Sequence, residues 1–440
     1  MRKKFIMAIA VFCVLCLSLC ACNKKEETPD GPSSPVLITR ALSFPVEENI
    51  GGAIANLEAN AVKNDGNDYD ENSPMSETAV FITLADDAST VTDGNGNPYP
   101  DDYAAVSGNV IHIQKAGTYV LTGSLSDGQI VIGTDDRAQL IFRDAHVHCS
   151  NRPAMEIYGT GKKILTMSDG TNNSLSDDND RADVTKDGVI RAAHAVTING
   201  KGSLTIAAKF GSAVCADALK VLDCNFTVSE AKTNALRCGA FLYISGSTAS
   251  VCANGYSLWA ADETIVNTSR LDLVGGVYGR DVFFDGSTID LTSREDGVFA
   301  TRLISARNTA LSINAEGDGL RATGEDATSL DGIIRLFDCK TVVSDGDDGI
   351  RARYFSFSGG NLICVGMGTQ LCVTEGAACS WNIEEILFPD GIASGTDLQL
   401  GETKVALKRK SRIVVYVGPI YDQMELRVGE KAVLGWATAE

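Results

Sequence analysis

Carboxylates recur in one frame late in this chain. Asp296, Asp318 and Asp348 are each followed by glycine, and each stands two residues before an apolar-x-small triplet. Glu295, Glu316, Asp345 and Asp347 crowd the same turns, and Asp345-Gly346-Asp347-Asp348-Gly349 packs three acids into five residues. Uncompensated like charges at close range are unfavourable. A hard cation that accepts several oxygens at flexible geometry relieves them, so calcium is the expected cofactor of these turns. The competing reading is that Asp-Gly is ordinary turn chemistry.

A second set of side chains recurs in step. Arg237, Trp259, Tyr278, Phe299, Arg321 and Arg351 are the middle residues of the triplets. In a strand, the middle of a triplet whose ends point inward must point outward. Aromatic faces offer flat apolar surface to the C–H groups of a pyranose ring. Arginine offers a planar fork to a carboxylate. A solvent-facing stripe of this kind can follow a sugar chain. Alternatively, such ladders stack on themselves and only stabilise the sheet, or pack under a loop.

These side chains need a scaffold with a regular period, and the chain has one. The first residues of the triplets are Ile190, Val214, Leu236, Leu258, Val277, Val298, Leu320, Ile350 and Leu371. Most gaps are close to 22 residues, as expected for one coil of a solenoid whose strands pair from coil to coil. The third positions (Ala192, Ala216, Cys238, Ala260, Gly279, Ala300, Ala322, Ala352 and Val373) are mostly small, as a narrow corner requires. The predicted fold class is all-β: a single-stranded right-handed parallel β-helix over residues 78–380, closed by a small C-terminal β cap over 381–440. The cap covers backbone that would otherwise be left unpaired.

The amino terminus reads as an address. Arg2-Lys3-Lys4 precedes the apolar run Phe5 to Leu19, which is too short for a confident membrane span, and Leu19-Cys20-Ala21-Cys22 resembles a bacterial lipobox. Residues 1–21 are therefore expected to be a lipoprotein signal peptide. Cys22 is the expected lipidated residue and membrane anchor, so the protein is expected to be exported and held on the bacterial cell surface or outer membrane. Residues 22–77 hold polar stretches and lack a sustained apolar period, so a flexible tether is expected there, with the largely apolar patch Val36 to Leu42 as a candidate short strand.

The formal charge is −19, and removing the leader takes it to about −22. That argues against a nucleic-acid partner, which needs a basic face. A monomer is expected. Nine of the 13 cysteines lie beyond the leader, with no CxxC pairing, so neither a disulfide framework nor a thiolate metal site is expected. His146 and His148 alternate on one strand without a third ligand. Asp177-Asp178-Asn179-Asp180 reads as a solvated loop.

Catalytic signatures are missing: the chain has no usable GxSxG, HExxH or phosphate-binding glycine loop. One enzymatic alternative survives, a calcium-dependent lyase acting on uronic-acid polymers. It would use calcium with Arg321 or Arg351 as a base near neutral pKa.

Several stretches share one likeness. Val106 to Val110, Lys115 to Gly123 and Asp127 to Ile130 resemble the opening of a bacterial carbohydrate-binding β-helix family. Ser174 to Asp177 and Ile198 to Ile206 resemble its next segments. The Asp-Gly-apolar-Arg-Ala turns, as at Asp348 to Ala352, are similar to its later coils, and Asp397 to Thr403 resembles its cap. The resemblance spans roughly residues 78 to 410. It implies a calcium-binding surface protein, similar in fold to pectate lyases, that binds cellulose and acidic sugars. The calcium it implies rests on Asp296, Asp318, Asp347 and Asp348. The middle coils depart from the pattern, with Ser212, Asn234, Tyr256 and Gly275 in the acid's frame position. The expected function is to hold polysaccharide, pectin-like or cellulosic, rather than to cut it. The alternatives are the lyase above and an adhesin with a protein partner.

Overall fold

Short β-branched runs separated by Gly, Asn and Asp form strands that cannot bury both faces alone, so they stack. In the computed structural model the chain is described at residues 34–40, 55–63, 68–74, 79–181, 184–324, 331–344 and 346–436. Cys22, the leader and Asp345 lie outside these residues. The strands stack in parallel as a β-solenoid of about 12 turns.

The register follows the repeat. Ile190 pairs with Val214, then in turn Leu236, Leu258, Val277, Val298, Leu320, Ile350 and Leu371 continue the column. Three earlier rungs, Ile111, Ile130 and Met155, extend it toward the amino terminus. Eleven of these side chains, from Ile111 to Ile350, are buried in one continuous core. The later coils share one bend that passes through a left-handed residue. Gly200, Asp223, Gly246, Thr268, Gly286, Asn308, Asp338 and Gly359 all have positive φ, which explains why small and Asx residues recur there. Just past that bend a buried hydroxyl ladder runs up the coils. The Ser247 N–H donates to Ser269 Oγ (3.1 Å), Ser269 N–H to Ser287 Oγ (3.2 Å) and Ser287 N–H to Thr309 Oγ1 (3.4 Å).

The carboxyl-terminal region stops the stacking with antiparallel strands. Ser411–Val417 pairs with the end of Ile350–Gly366 and with Ile383–Ile392. A separate four-stranded sheet follows in the order Thr403–Ala406, Asp397–Leu400, Met424–Val428 and Lys431–Trp436.

The described parts of residues 22–77 are docked, which corrects the expectation of a flexible tether there. Val36–Arg40 pairs antiparallel with Ile383–Ile392. The short helix 55–60 and the residues after it lay Leu57, Ala61 and Val62 on the outward apolar ladder Tyr243, Ile265 and Phe283. Glu58 forms an ion pair with Arg335 (2.6 Å) and accepts from Ser305 Oγ (2.6 Å). Further on, Thr197 donates to Asp68 (2.7 Å), Asn199 to the Tyr69 carbonyl (2.7 Å) and Gln139 to the Asp70 carbonyl (3.0 Å). The segment is therefore a strap that runs back along one outward face from late coils to early ones. The Val36 patch was legible as a strand, but the docking of residues 55–63 and 68–74 was not, because it uses a few apolar contacts and side-chain pairs rather than a sustained period.

The acidic loop is also corrected at one residue. Asp177 and Arg181 form an ion pair with both side chains fully buried. Asp177 accepts from the N–H groups of Lys209 (2.7 Å) and Phe210 (3.3 Å), and Arg181 donates to the carbonyls of Lys186 (2.7 Å) and Gly188 (2.9 Å). Arg181→Met leaves Asp177 buried without its counter-ion and is expected to cost about 3–5 kcal/mol in urea unfolding. The double variant Asp177→Leu/Arg181→Met should recover most of that loss. A single variant as stable as wild type would contradict the pairing.

Candidate functional site

The triplet middles form one outward column. Arg237, Trp259, Tyr278, Phe299, Arg321 and Arg351 are six consecutive rungs, each paired in register with the next. In-register pairing stacks the rings along the solenoid axis. Trp259 and Tyr278 lie 5.5 Å apart and 9° from parallel. Tyr278 and Phe299 are also 5.5 Å apart, at 66°. Arg237 sits over the Trp259 ring at 5.7 Å and Arg321 over Phe299 at 5.0 Å. Rings in the stripe thus contact one another and the flanking arginines, the self-stacking arrangement that was the alternative to an open sugar-binding stripe.

The acids before the triplets also come together, for a structural reason. Asp296 Oδ1 accepts the N–H of Asp318 (2.8 Å), and Asp318 Oδ1 accepts the N–H of Asp348 (3.1 Å). Asn234 makes the same bond to Tyr256 N–H (2.9 Å), so the frame selects an oxygen acceptor rather than a charge. The remaining oxygens face arginine. Arg321 reaches Asp296 Oδ2 at 3.1 Å, while Arg351 reaches Asp318 Oδ2 at 3.2 Å and Asp348 Oδ2 at 2.7 Å. Burial pushes the Asp318 carboxyl above the usual range, although Arg351 opposes this. The hydrogen bond to Asp348 and nearby carboxylates hold Arg351 still more firmly protonated.

Calcium in these turns would have to compete with these contacts. The carboxylates it would need are occupied by backbone N–H groups and guanidinium, and among the described residues no three acids, histidines or cysteines cluster at metal spacing. Asp347 is exposed, and Glu316 pairs instead with Arg409 of the carboxyl-terminal region (2.7 Å). His146 and His148 each bond a serine of the following coil, Ser174 (2.9 Å) and Ser176 (3.0 Å).

Beside the stripe lies a groove of about 510 Å³ that crosses four coils. Tyr256, Asn254, Arg294, Glu295, Glu316 and Arg409 line it. Its floor is backbone brought close by stacking: a Cβ on Gly275, whose φ is +117°, would meet the Gly255 carbonyl oxygen at 2.5 Å. Tyr256 joins groove to stripe, 5.6 Å from Tyr278. Burial, then the charges of Glu295 and Asp296, push its phenol up. Of these residues Glu295 and Glu316 were legible as acids crowding the candidate turns, and Tyr256 only as an aromatic standing in the acid's frame position.

Comparison with known proteins bears on this geometry. Residues 107–279 and 275–415 match the family described as "Carbohydrate-binding domain-containing protein". The chain belongs to that family. A relative of the same description from Acetivibrio thermocellus is 29% identical over 135 residues, which cover 29% of this chain and 47% of the relative. The match therefore spans about half the length of that relative. A solved polysaccharide lyase-like protein from C. thermocellum is similar at 19% identity and a TM-score of 0.37, over 67% of this chain and 98% of that one.

The acid frame can be tested by its chemistry. Asp318→Asn keeps an oxygen acceptor for Asp348 N–H and is expected to cost less than about 1 kcal/mol, whereas Asp318→Ala orphans a buried donor and costs about 1–3 kcal/mol. Urea unfolding of the wild type should give the same stability in calcium and in EDTA. A gain of more than about 1 kcal/mol from calcium would return the cation to these turns.

Proposed function

We propose that this protein is an exported lipoprotein, anchored through Cys22, that holds polysaccharide in the groove beside the aromatic stripe without cutting it. The observation that carries the reading is the groove itself. It lies along the stacking direction and joins a tyrosine to carboxylate, amide and guanidinium groups, the mixture that hydrogen-bonds sugar hydroxyls while packing their apolar faces. Family membership supports a carbohydrate ligand.

A neutral, cellulosic chain fits better than a pectin-like one. Arg237, Arg321 and Arg351 are already paired with Asp187, Asp296, Asp318 and Asp348, so their charge is met within the protein. The groove lining itself carries Arg294 and Arg409 against Glu295 and Glu316, so it offers no net positive charge to a uronate. The hydrogen bond to Asp348 and nearby carboxylates hold Arg351 protonated, which weighs against that residue as the base of a lyase.

Affinity electrophoresis of the full chain separates these readings. Retardation is expected in hydroxyethylcellulose gels, unchanged by calcium or EDTA, and weaker in polygalacturonate. Tyr256→Ala with Glu295→Gln should weaken the cellulosic interaction by about tenfold, the equivalent of 1.4 kcal/mol. No retardation in either polymer would refute the carbohydrate reading.

A further inference from the structure

The aromatic stripe spends its ring faces on itself, yet two large rings elsewhere do not. Trp381 is 41% exposed and Tyr421 is 48% exposed. Both line a cavity of about 550 Å³ where the last coils meet the four-stranded cap sheet. Trp381 sits in the bend just after Leu371–Cys379, the strand that takes the last rung of the triplet column, so that column places no further ring beside it. Tyr421 sits in the turn before Met424–Val428. Among the described residues neither ring stacks on another aromatic.

The cavity also carries hydrogen-bonding groups. Lys340, Asn361, Glu402 and Thr403 line it with the two rings. Asn361 Nδ2 donates to Thr403 Oγ1 (3.2 Å), which holds the amide in place. Lys340 and Glu402 supply one charge of each sign, so the lining is neutral overall. Tyr421 is held from behind: a Cβ on Gly401, whose φ is +57°, would come within 2.3 Å of its hydroxyl oxygen. The glycine thus allows the phenol to rest against the turn, and fixing a side chain before binding reduces the entropy that binding must overcome.

We propose that this cavity is a second saccharide-binding subsite, for a neutral pyranose unit, with Trp381 and Tyr421 as its stacking platforms. Exposed apolar surface at one place, ringed by a few convergent polar groups, is the signature of a ligand site. Acidic sugars are disfavoured because their carboxylate would meet Glu402 beside only one cation. Tyr421 lies beyond residue 415, where the family match ends, so part of the subsite comes from outside the matched region. The proposal rests on the carbohydrate reading above. It adds a second contact on the same polymer, and two linked contacts bind a long chain far more tightly than either alone.

Tryptophan fluorescence tests it on the full chain, titrated with cellohexaose, mannohexaose and, as the acidic control, oligogalacturonate. The chain has three tryptophans, Trp259, Trp381 and Trp436. A sugar-dependent change is expected with at least one neutral hexamer, retained in Trp259→Phe and lost in Trp381→Phe. Affinity for that hexamer should fall about tenfold in Tyr421→Ala and in Trp381→Ala, both exposed positions where truncation leaves the core intact. If these variants bind as wild type while Tyr256→Ala with Glu295→Gln loses binding, the cap subsite is refuted and the groove stands. If the wild type binds none of the hexamers and none of the gel polymers, the carbohydrate reading and the subsite fall together.

Discussion

In-register parallel pairing from coil to coil is the constraint on which the structure depends. It places each side chain directly against its counterpart one coil away, about 4.8 Å distant. Whatever one rung carries, its neighbours must tolerate. Apolar rungs become a continuous core, hydroxyls become a buried hydrogen-bond ladder, and rings become a stack. Carboxylates become the difficult case, because identical placement brings identical charge together.

The molecule meets that difficulty by offsetting acid and base within the same coils. Asp296 and Asp318 each give one oxygen to the backbone N–H of the next coil. Of the other oxygens, that of Asp296 faces Arg321, and those of Asp318 and Asp348 face Arg351. Arg321 also caps the aromatic stack, over Phe299. Stripe and acid ladder are therefore one interlocked surface, and both are largely satisfied internally. The proposed binding places lie elsewhere, in the groove that crosses four coils and in the cavity beyond the last coil.

Solenoids also leave strand edges and outward faces to be managed. Here the strap formed by described residues between 55 and 74 covers one outward face, and the antiparallel strands Ser411–Val417 and Ile383–Ile392 end the stacking. Covering one face leaves the stripe's side of the solenoid for a ligand.

Much of the architecture was legible in the residue pattern because the period and the small third position follow from strand alternation and one narrow corner. Every triplet from Ile190 to Leu371 pairs as its spacing implies. The identity of the outward column was legible for the same reason. Its chemistry was not, because spacing says which side chains are neighbours but not which faces and oxygens they spend on one another. Asp296, Asp318 and Asp348 read as ligands until Arg321 and Arg351 were seen to reach them. Tyr256, Glu295 and Arg409 belong to no common motif and meet only because coil stacking and the cap bring distant segments to one groove. The strap was hidden for a related reason: its anchoring pairs, such as Glu58 with Arg335, join residues 277 positions apart and leave no local period to read. Local repetition determined the coil, and long-range contact decided which of its surfaces remained free to bind.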